Sequence, residues 1–211
     1  MGSVIKVDQN APARVALDEA VGVLSFGGVL VMPTDSVYGI GCAATPANPA
    51  HECIFAIKRR DRAQTLPWLI ADFEDLSRYA AEVSPAALKL AAAFWPGALT
   101  LVVRASQAVP AEYRGADGTI ALRMPDSNLV RELARRVGAP LATTSANTHG
   151  EAAATSGASV EARIVEEADL TLDGGPAPIA IASTIVSVTG PEPRVLREGA
   201  LSRAQIATAL A

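Results

Sequence analysis

An α/β fold is predicted from three observations. Short apolar runs rich in β-branched residues alternate along the chain with stretches whose apolar residues recur at helical spacing. Half of the 211 residues are hydrophobic and 19% are charged, a balance that fills a core and excludes wholesale disorder. Aromatic residues are few (4 Phe, 3 Tyr and 2 Trp), so the core is expected to be mostly Ala, Val, Leu and Ile. The length suits one domain covering residues 1–211.

The elements follow in order. Pro12 to Phe26 carries Val15, Leu17, Val21 and Leu24 near helical spacing, and Gly27-Gly28 stops it. Val29 to Met32 is a short apolar run closed by Pro33, the pattern of a buried strand. A polar turn, Thr34-Asp35-Ser36, leads to Val37-Tyr38 and a glycine-rich exit, Gly39-Ile40-Gly41. Asn48 to Lys58 is the second helix and runs into the basic cluster Lys58-Arg59-Arg60-Asp61-Arg62. Leu66 to Ala71 reads as a strand. Ser84 caps a helix that has Pro85 at its first position and reaches Phe94, where Trp95-Pro96-Gly97 breaks it. Leu99 to Val103 and Thr119 to Leu122 are strands. Asp126 is expected to cap a helix through Arg136, ending at Gly138. Leu141-Ala142-Thr143 is a short strand that enters Thr144-Ser145-Ala146-Asn147.

Residues 148–158, rich in Ala, Ser, Thr and Gly, are the expected mobile loop. A helix from Ser159 to Ala168 and a strand from Leu170 to Leu172 follow. The stretch 173–183 resembles a linker but is too short to divide two domains. Thr184 to Val188 and Arg194 to Leu196 are strands, and Ser202 caps a closing helix through Leu210.

Several function classes are excluded. Eighteen basic against 22 acidic residues give a net charge of -4, unlike a globally basic nucleic-acid coat. Apolar stretches fall well short of the roughly 20 residues that span a bilayer, so no membrane association is expected. Met1 to Asp8 has no basic-then-apolar signal pattern, and Cys42 and Cys53 make no disulfide scaffold, so a cytoplasmic location is expected. The chain lacks Gly-x-Ser-x-Gly, the P-loop and Gly-x-Gly-x-x-Gly. His51-Glu52-Cys53 reads as surface and core positions of a helix rather than a metal site.

Five polar or cationic signals stand at strand or helix ends. The cluster at 58–62 is either a solvated helix end complementing the dipole or an anion clamp. Thr143-Thr144-Ser145-Ala146-Asn147 is either a local turn or a set of ligand donors at the carboxyl end of a strand, where open sheets bind ligands. Thr34-Asp35-Ser36 carries the same two readings, while Arg123 and the pair Ser183-Thr184 with Arg197 are either surface groups at strand ends or part of a ligand site.

In this order the segments resemble the YrdC/Sua5 family of L-threonylcarbamoyladenylate synthases. The stretches that carry the resemblance are Pro33–Gly41, Lys58-Arg59-Arg60, Trp95–Leu101, Arg123–Asp126, Thr144–Asn147, Ser183–Val186 and Leu196–Gly199. The resemblance implies a twisted open mixed sheet with flanking helices around a concave, positively charged cavity, in the short form without the extra C-terminal domain of longer members. It implies conversion of L-threonine, bicarbonate (or CO2) and ATP, with Mg²⁺ accompanying ATP, into threonylcarbamoyl-AMP and pyrophosphate. A separate transferase complex then modifies adenosine 37 of tRNA, so tRNA is an indirect partner.

The same resemblance implies catalytic roles for Lys58, Arg60, Ser145 and Asn147. ATP would meet Lys58, Arg60, Gln64, Thr119, Ser145, Asn147 and Arg197. Threonine would meet Thr34, Ser36, Arg123, Thr143 and Ser183, and no protein residue is assigned to a metal. The sequence departs from the family pattern at Asp61, Gln64 and Ser187, which bears on ATP affinity and on the clamp. Two other readings are a YciO-like paralogue, against which the Ser-x-Asn argues, and a module binding double-stranded RNA or tRNA by its phosphates. Weak RNA binding is also compatible with the first reading.

Overall fold

The protein, described here by a computed structural model covering residues 2–62 and 64–211, opens with strand β1 (Ser3–Lys6) and helix α1 (Arg14–Ser25). Strands β2 (Leu30–Met32) and β3 (Gly39–Ala43) precede α2 (Pro49–Lys58). A two-residue strand, β4 (Trp68–Leu69), leads to α3 (Asp75–Tyr79) and α4 (Pro85–Phe94). Strands β5 (Leu99–Arg104) and β6 (Thr119–Arg123) flank a 3-10 turn at Ala111–Tyr113. Helix α5 (Asn128–Val137) and strand β7 (Leu141–Ser145) come next. The chain closes with α6 (Ala162–Glu167), β8 (Leu170–Asp173), β9 (Thr184–Ser187), β10 (Arg194–Arg197) and α7 (Arg203–Leu210).

The strands form one ten-stranded mixed sheet in the order β1-β8-β2-β3-β7-β4-β6-β5-β9-β10. The pairs β1/β8, β2/β8, β4/β6 and β5/β9 are parallel, and the other neighbours run antiparallel.

Alternation along the strands sends successive side chains to opposite faces. One face carries Ile40, Trp68, Leu101, Leu122, Ala142 and Val186 into an apolar layer shared with Ile54 of α2, Leu90 of α4, Ile164 of α6 and Ile206 of α7. The other face is covered over only part of its width. There α1 and α5 pack through Leu17, Leu24, Leu129 and Leu133 against Leu30, Leu141 and Leu172. The remaining part of that face is open and holds small, hydroxyl and cationic side chains among aliphatic ones such as Val102 and Ile185.

Most boundaries follow from local chemistry. Asn48 accepts from the Ala50 N–H and Ser84 from the Ala87 N–H, each with Pro at the first position of its helix. Ser202 and Gln205 form a capping box at α7. The cap of α5 is Ser127, whose hydroxyl accepts from the Val130 N–H, rather than the expected Asp126. Strand β4 is shorter than the Leu66 to Ala71 run, since Pro67 has no N–H for a ladder. The expected Ser159 to Ala168 helix begins only at Ala162, after a 3-10 turn at Gly157–Ser159. β1, β3 and α3 are elements that local pattern did not indicate. The glycines of Gly39-Ile40-Gly41 read as an exit, yet pairing with both β2 and β7 makes this segment an inner strand.

Candidate active site

The open part of the sheet is the floor of a cavity of about 810 Å³, a size in the range of small-molecule sites. Thr119, Ala121 and Arg123 of β6 line it, while Ile120 and Leu122 between them point into the core. Thr100 and Val102 of β5 obey the same alternation, while at the end of β7 Thr143, Thr144 and Ser145 all line the cavity. The glycines of β3 leave room for β7. A Cβ on Gly39 would lie 2.6 Å from Thr143 Cγ2, and one on Gly41 would lie 2.5 Å from Thr143 Oγ1.

At one end sits Arg123, which is 6% exposed. Its Nε donates to the Gly97 carbonyl at 3.0 Å and its Nη1 to Ser36 Oγ at 2.7 Å. Its Nη2 forms a close ion pair with Asp35. Thr34 and Ser36 are hydrogen-bonded to each other at 3.1 Å and both face the cavity. Across it, Ser183 is bonded to Thr100 at 2.9 Å, and Arg197 Nη2 donates to the Ser183 carbonyl at 2.8 Å. Burial lowers the pKa of both guanidiniums. For Arg197 the nearby positive charge of Arg123 adds to the shift, and for Arg123 the carboxylate of Asp35 opposes it.

The other wall is built by the end of α2. Arg59 takes a left-handed conformation there, with φ 51 and ψ 45. Lys58 shares the buried side of α2 with Ile54 and Ile57, Arg59 is exposed, and the turn carries Arg60 to the cavity. Arg60 Nη1 donates to Thr144 Oγ1 at 2.8 Å and Nη2 to the Thr65 carbonyl at 3.3 Å, and its buried Nε has no partner. Gln64 and Thr65 follow on the same wall, and burial lowers the pKa of Arg60.

Lys58 is 1% exposed and does not line the cavity. Its ammonium donates to the carbonyls of Ser145 at 2.5 Å and Asn147 at 2.6 Å, and to Asn147 Oδ1 at 3.3 Å. Lys58, expected at the ligand, instead spends these donors on the loop after β7, at Ser145 and Asn147. Burial is the main cause that pulls its pKa down from 10.5 to about 8, helped by Arg60 and opposed by Glu161.

The other expected site residues, Thr34, Ser36, Arg60, Gln64, Thr119 and Arg123 among them, all reach this one cavity. So do Thr143, Ser145, Asn147, Ser183 and Arg197. Arg197, assigned with ATP, is bonded to Ser183, assigned with threonine, so it stands where the two groups meet. The charged lining comprises Arg60, Arg123 and Arg197 against Asp117 and Glu151, so the excess of positive charge is small. Asp117 Oδ1 accepts from the hydroxyl of Thr119 at 2.7 Å, the main reason its pKa is lowered.

Asp35 and Thr144 were named only as members of motifs, with no role of their own, and Thr100 and Glu161 were given no part in the site. Asp35 had a signal, a carboxylate between two hydroxyl residues at a strand exit. Glu161 had none. It lies far along the chain and secures the loop by accepting from the N–H and the hydroxyl of Thr148, each at 2.6 Å. The loop expected to be mobile is also tied by the Asn147 amide to the Glu151 carbonyl and by the Tyr38 N–H to the Ala154 carbonyl. His51 is a buried ring against Phe55 and Tyr113. Among the described residues no three His, Cys, Asp or Glu side chains converge on a metal position.

A half-open sheet face with arginines and hydroxyls at both ends defines a ligand-binding α/β protein. Residues 22–199 match the Sua5/YciO/YrdC family model, described as telomere recombination, and the chain belongs to that family. A relative from Mycobacterium tuberculosis is 37% identical over 191 residues, which are 90% of this chain and 87% of that one. The threonylcarbamoyl-AMP synthase of Pyrococcus abyssi is 36% identical over 187 residues, and the chain spans 55% of its length. Among solved structures, P. abyssi Sua5 complexed with L-threonine superimposes with a TM-score of 0.92 at 33% identity, covering 98% of this chain and 60% of that one. Escherichia coli YciO gives a TM-score of 0.85 at 27% identity, covering 94% and 96% of the two chains. No helix among the described residues is long and apolar enough to cross a membrane.

Proposed function

We propose that the protein is an L-threonylcarbamoyladenylate synthase, a nucleotidyltransferase acting in the cytoplasm on L-threonine, bicarbonate (or CO2) and ATP. The observation that carries this reading is the single cavity shared by Arg123, Ser36, Thr143 and Ser183 with Arg60, Ser145, Asn147 and Arg197. In this reading the first group takes the amino acid and the second the nucleotide. Gln64 and Thr119 complete the nucleotide side.

The neutral amine of threonine attacks bicarbonate with loss of water, or CO2 directly, to give a carbamate. The carbamate oxygen then attacks the α-phosphorus of ATP, a P–O bond forms as the bond to pyrophosphate breaks, and threonylcarbamoyl-AMP results. The protein's part is to align the reactants and offset their charge. Arg60 and Arg197 face the phosphates, and Arg123 faces the amino acid's carboxylate, where a guanidinium suits bidentate pairing. Ser36, Thr143 and Ser183 supply donors for the substrate hydroxyl, which a hydrogen-bonding site discriminates more strongly than an apolar one. Mg²⁺ accompanying ATP would offset phosphate charge, and no protein residue is assigned to hold it. The product passes to a transferase that modifies tRNA.

The test is to incubate the purified protein with ATP, radiolabelled bicarbonate and L-threonine and to separate the products. A labelled adenylate formed together with pyrophosphate, and only when threonine is present, is expected. Salt-sensitive tRNA binding without any pyrophosphate release would overturn the reading in favour of an RNA-binding module. Absence of both activities would favour a YciO-like paralogue.

A further inference from the structure

We propose that Asp35 is a positioning residue for the amino-acid end of the cavity, acting through Arg123 to set affinity for the amino-acid substrate. The inference rests on the threonine-binding reading of that end given above.

Arg123 faces the cavity from a nearly solvent-free position. A guanidinium so placed needs a counter-charge, because taking an ion out of water costs several kcal/mol. Asp35, only 3% exposed, is the acidic group paired with it. The pair fixes more than charge. Of the five N–H donors of a guanidinium, Arg123 spends one on the Gly97 carbonyl, one on Ser36 Oγ and one on Asp35 Oδ1. Two remain for a carboxylate, and their direction is set by the three that are used.

Asp35 is itself anchored. Its backbone carbonyl accepts from the Ile179 N–H at 2.8 Å. It follows Thr34, whose hydroxyl accepts from the Ser36 N–H and donates to the Val37 carbonyl. The Asp35 carboxylate spends Oδ1 on Arg123, and its buried Oδ2 has no hydrogen-bond partner. A buried carboxylate that forgoes half its acceptors would be a poor choice for stability alone. It fits a group retained to orient and partly neutralise Arg123. The neighbouring Arg197 strengthens the point. Its pKa is lowered in part by Arg123, so the two guanidiniums repel each other in the free protein. Without Asp35 that repulsion would press Arg123 away from its present bonds.

The experiment measures L-threonine binding by calorimetry and, separately, the KM values for L-threonine and ATP. The variants are Asp35→Asn, Asp35→Glu, Arg123→Ala and the double variant Asp35→Asn/Arg123→Ala. Asp35→Glu keeps the charge and displaces the carboxylate, so it serves if Asp35→Asn does not fold. Both single Asp35 variants should weaken threonine binding about tenfold or more, as expected for a lost charged hydrogen bond, while the KM for ATP moves less than about twofold. In the Arg123→Ala background the Asp35→Asn change should add little, about twofold at most, because a residue acting through Arg123 has nothing left to position.

Full additivity of the two changes, or unaltered threonine binding in a folded Asp35 variant, would overturn the proposal. So would a larger effect on ATP than on threonine. Threonine binding by the parent protein without adenylate formation would sink the synthase reading and leave the role of Asp35 to be decided by the same titrations. Failure of the parent to bind threonine at all would end both.

Discussion

The Lys58 ammonium lies 2.6 Å from the carbonyl of Asn147, so the last turn of α2 carries the loop that leaves β7. Lys58→Met would remove three donated bonds and leave the Ser145 and Asn147 carbonyls short of a donor. We expect a loss of about 2 kcal/mol or more, at the upper end for buried acceptors bonded by a cation. Turnover with ATP and threonine should fall further than stability alone accounts for, since Ser145 and Asn147 would lose their support. Denaturant titration and initial rates on the same sample check both, and near-normal turnover would show the support to be dispensable.

The same lysine gives a pH dependence. Its pKa in the folded chain is about 8, below the ordinary value of 10.5, chiefly through burial. Between those values the unfolded chain holds the proton and the folded chain releases it. Stability therefore rises with pH across that window, and the charged form is the costly one below it. The denaturant midpoint of the wild type minus that of Lys58→Met should grow from about pH 8 upward toward the ordinary lysine value. A flat or falling difference would contradict the burial argument.

Arg59 holds a left-handed conformation with φ 51 at the end of α2, a position where glycine meets no Cβ penalty. Arg59→Gly should be neutral to stabilising, by up to about 1 kcal/mol, with turnover within about twofold of the wild type. Thermal unfolding and steady-state rates report on the two halves of this statement. A clear loss of activity would mean that the exposed side chain does more than end a helix.

Gly39 and Thr143 touch across β3 and β7. Gly39→Ala would set a methyl 2.6 Å from Thr143 Cγ2 and should destabilise by about 1–3 kcal/mol through overpacking. Thr143→Ser removes the offending methyl, so the double variant should regain most of the loss. Calorimetric melting of the three variants gives the coupling directly, and simple additivity would rule the contact out as the cause.

Arg60→Ala and Ser145→Ala should each abolish adenylate formation with the fold intact by circular dichroism. Arg123→Ala should raise the KM for threonine more than that for ATP. Arg197→Ala should raise both, because Arg197 is bonded to Ser183 and repelled by Arg123. An Arg197 effect confined to ATP would place it wholly at the nucleotide side.

Helix starts were legible because Asn48, Ser84 and Ser202 announce themselves by chemistry that acts within three residues. β3 was not, since a strand made of Gly39, Ile40 and Gly41 is stabilised by two partners distant in sequence rather than by its own propensity. The polar residues at strand ends could be read as one site from their positions after apolar runs, as Ser36, Arg123 and Ser145 illustrate. The burial of Lys58 could not, because the carbonyls that accept from its ammonium belong to Ser145 and Asn147, far along the chain. The pairing of Asp35 with Arg123 likewise needs two separate strand exits to be brought together.

The floor of the cavity and the apolar layer beneath it are drawn from the same strands by parity. Arg123 belongs to one set and Leu122 to the other. Substitutions at alternate positions are thus free to retune ligand preference without disturbing the residues that hold the molecule together. The arrangement has a corresponding vulnerability. Removing a single residue from β6 would swap the two sets, turning a guanidinium into the apolar layer and a leucine toward the ligand.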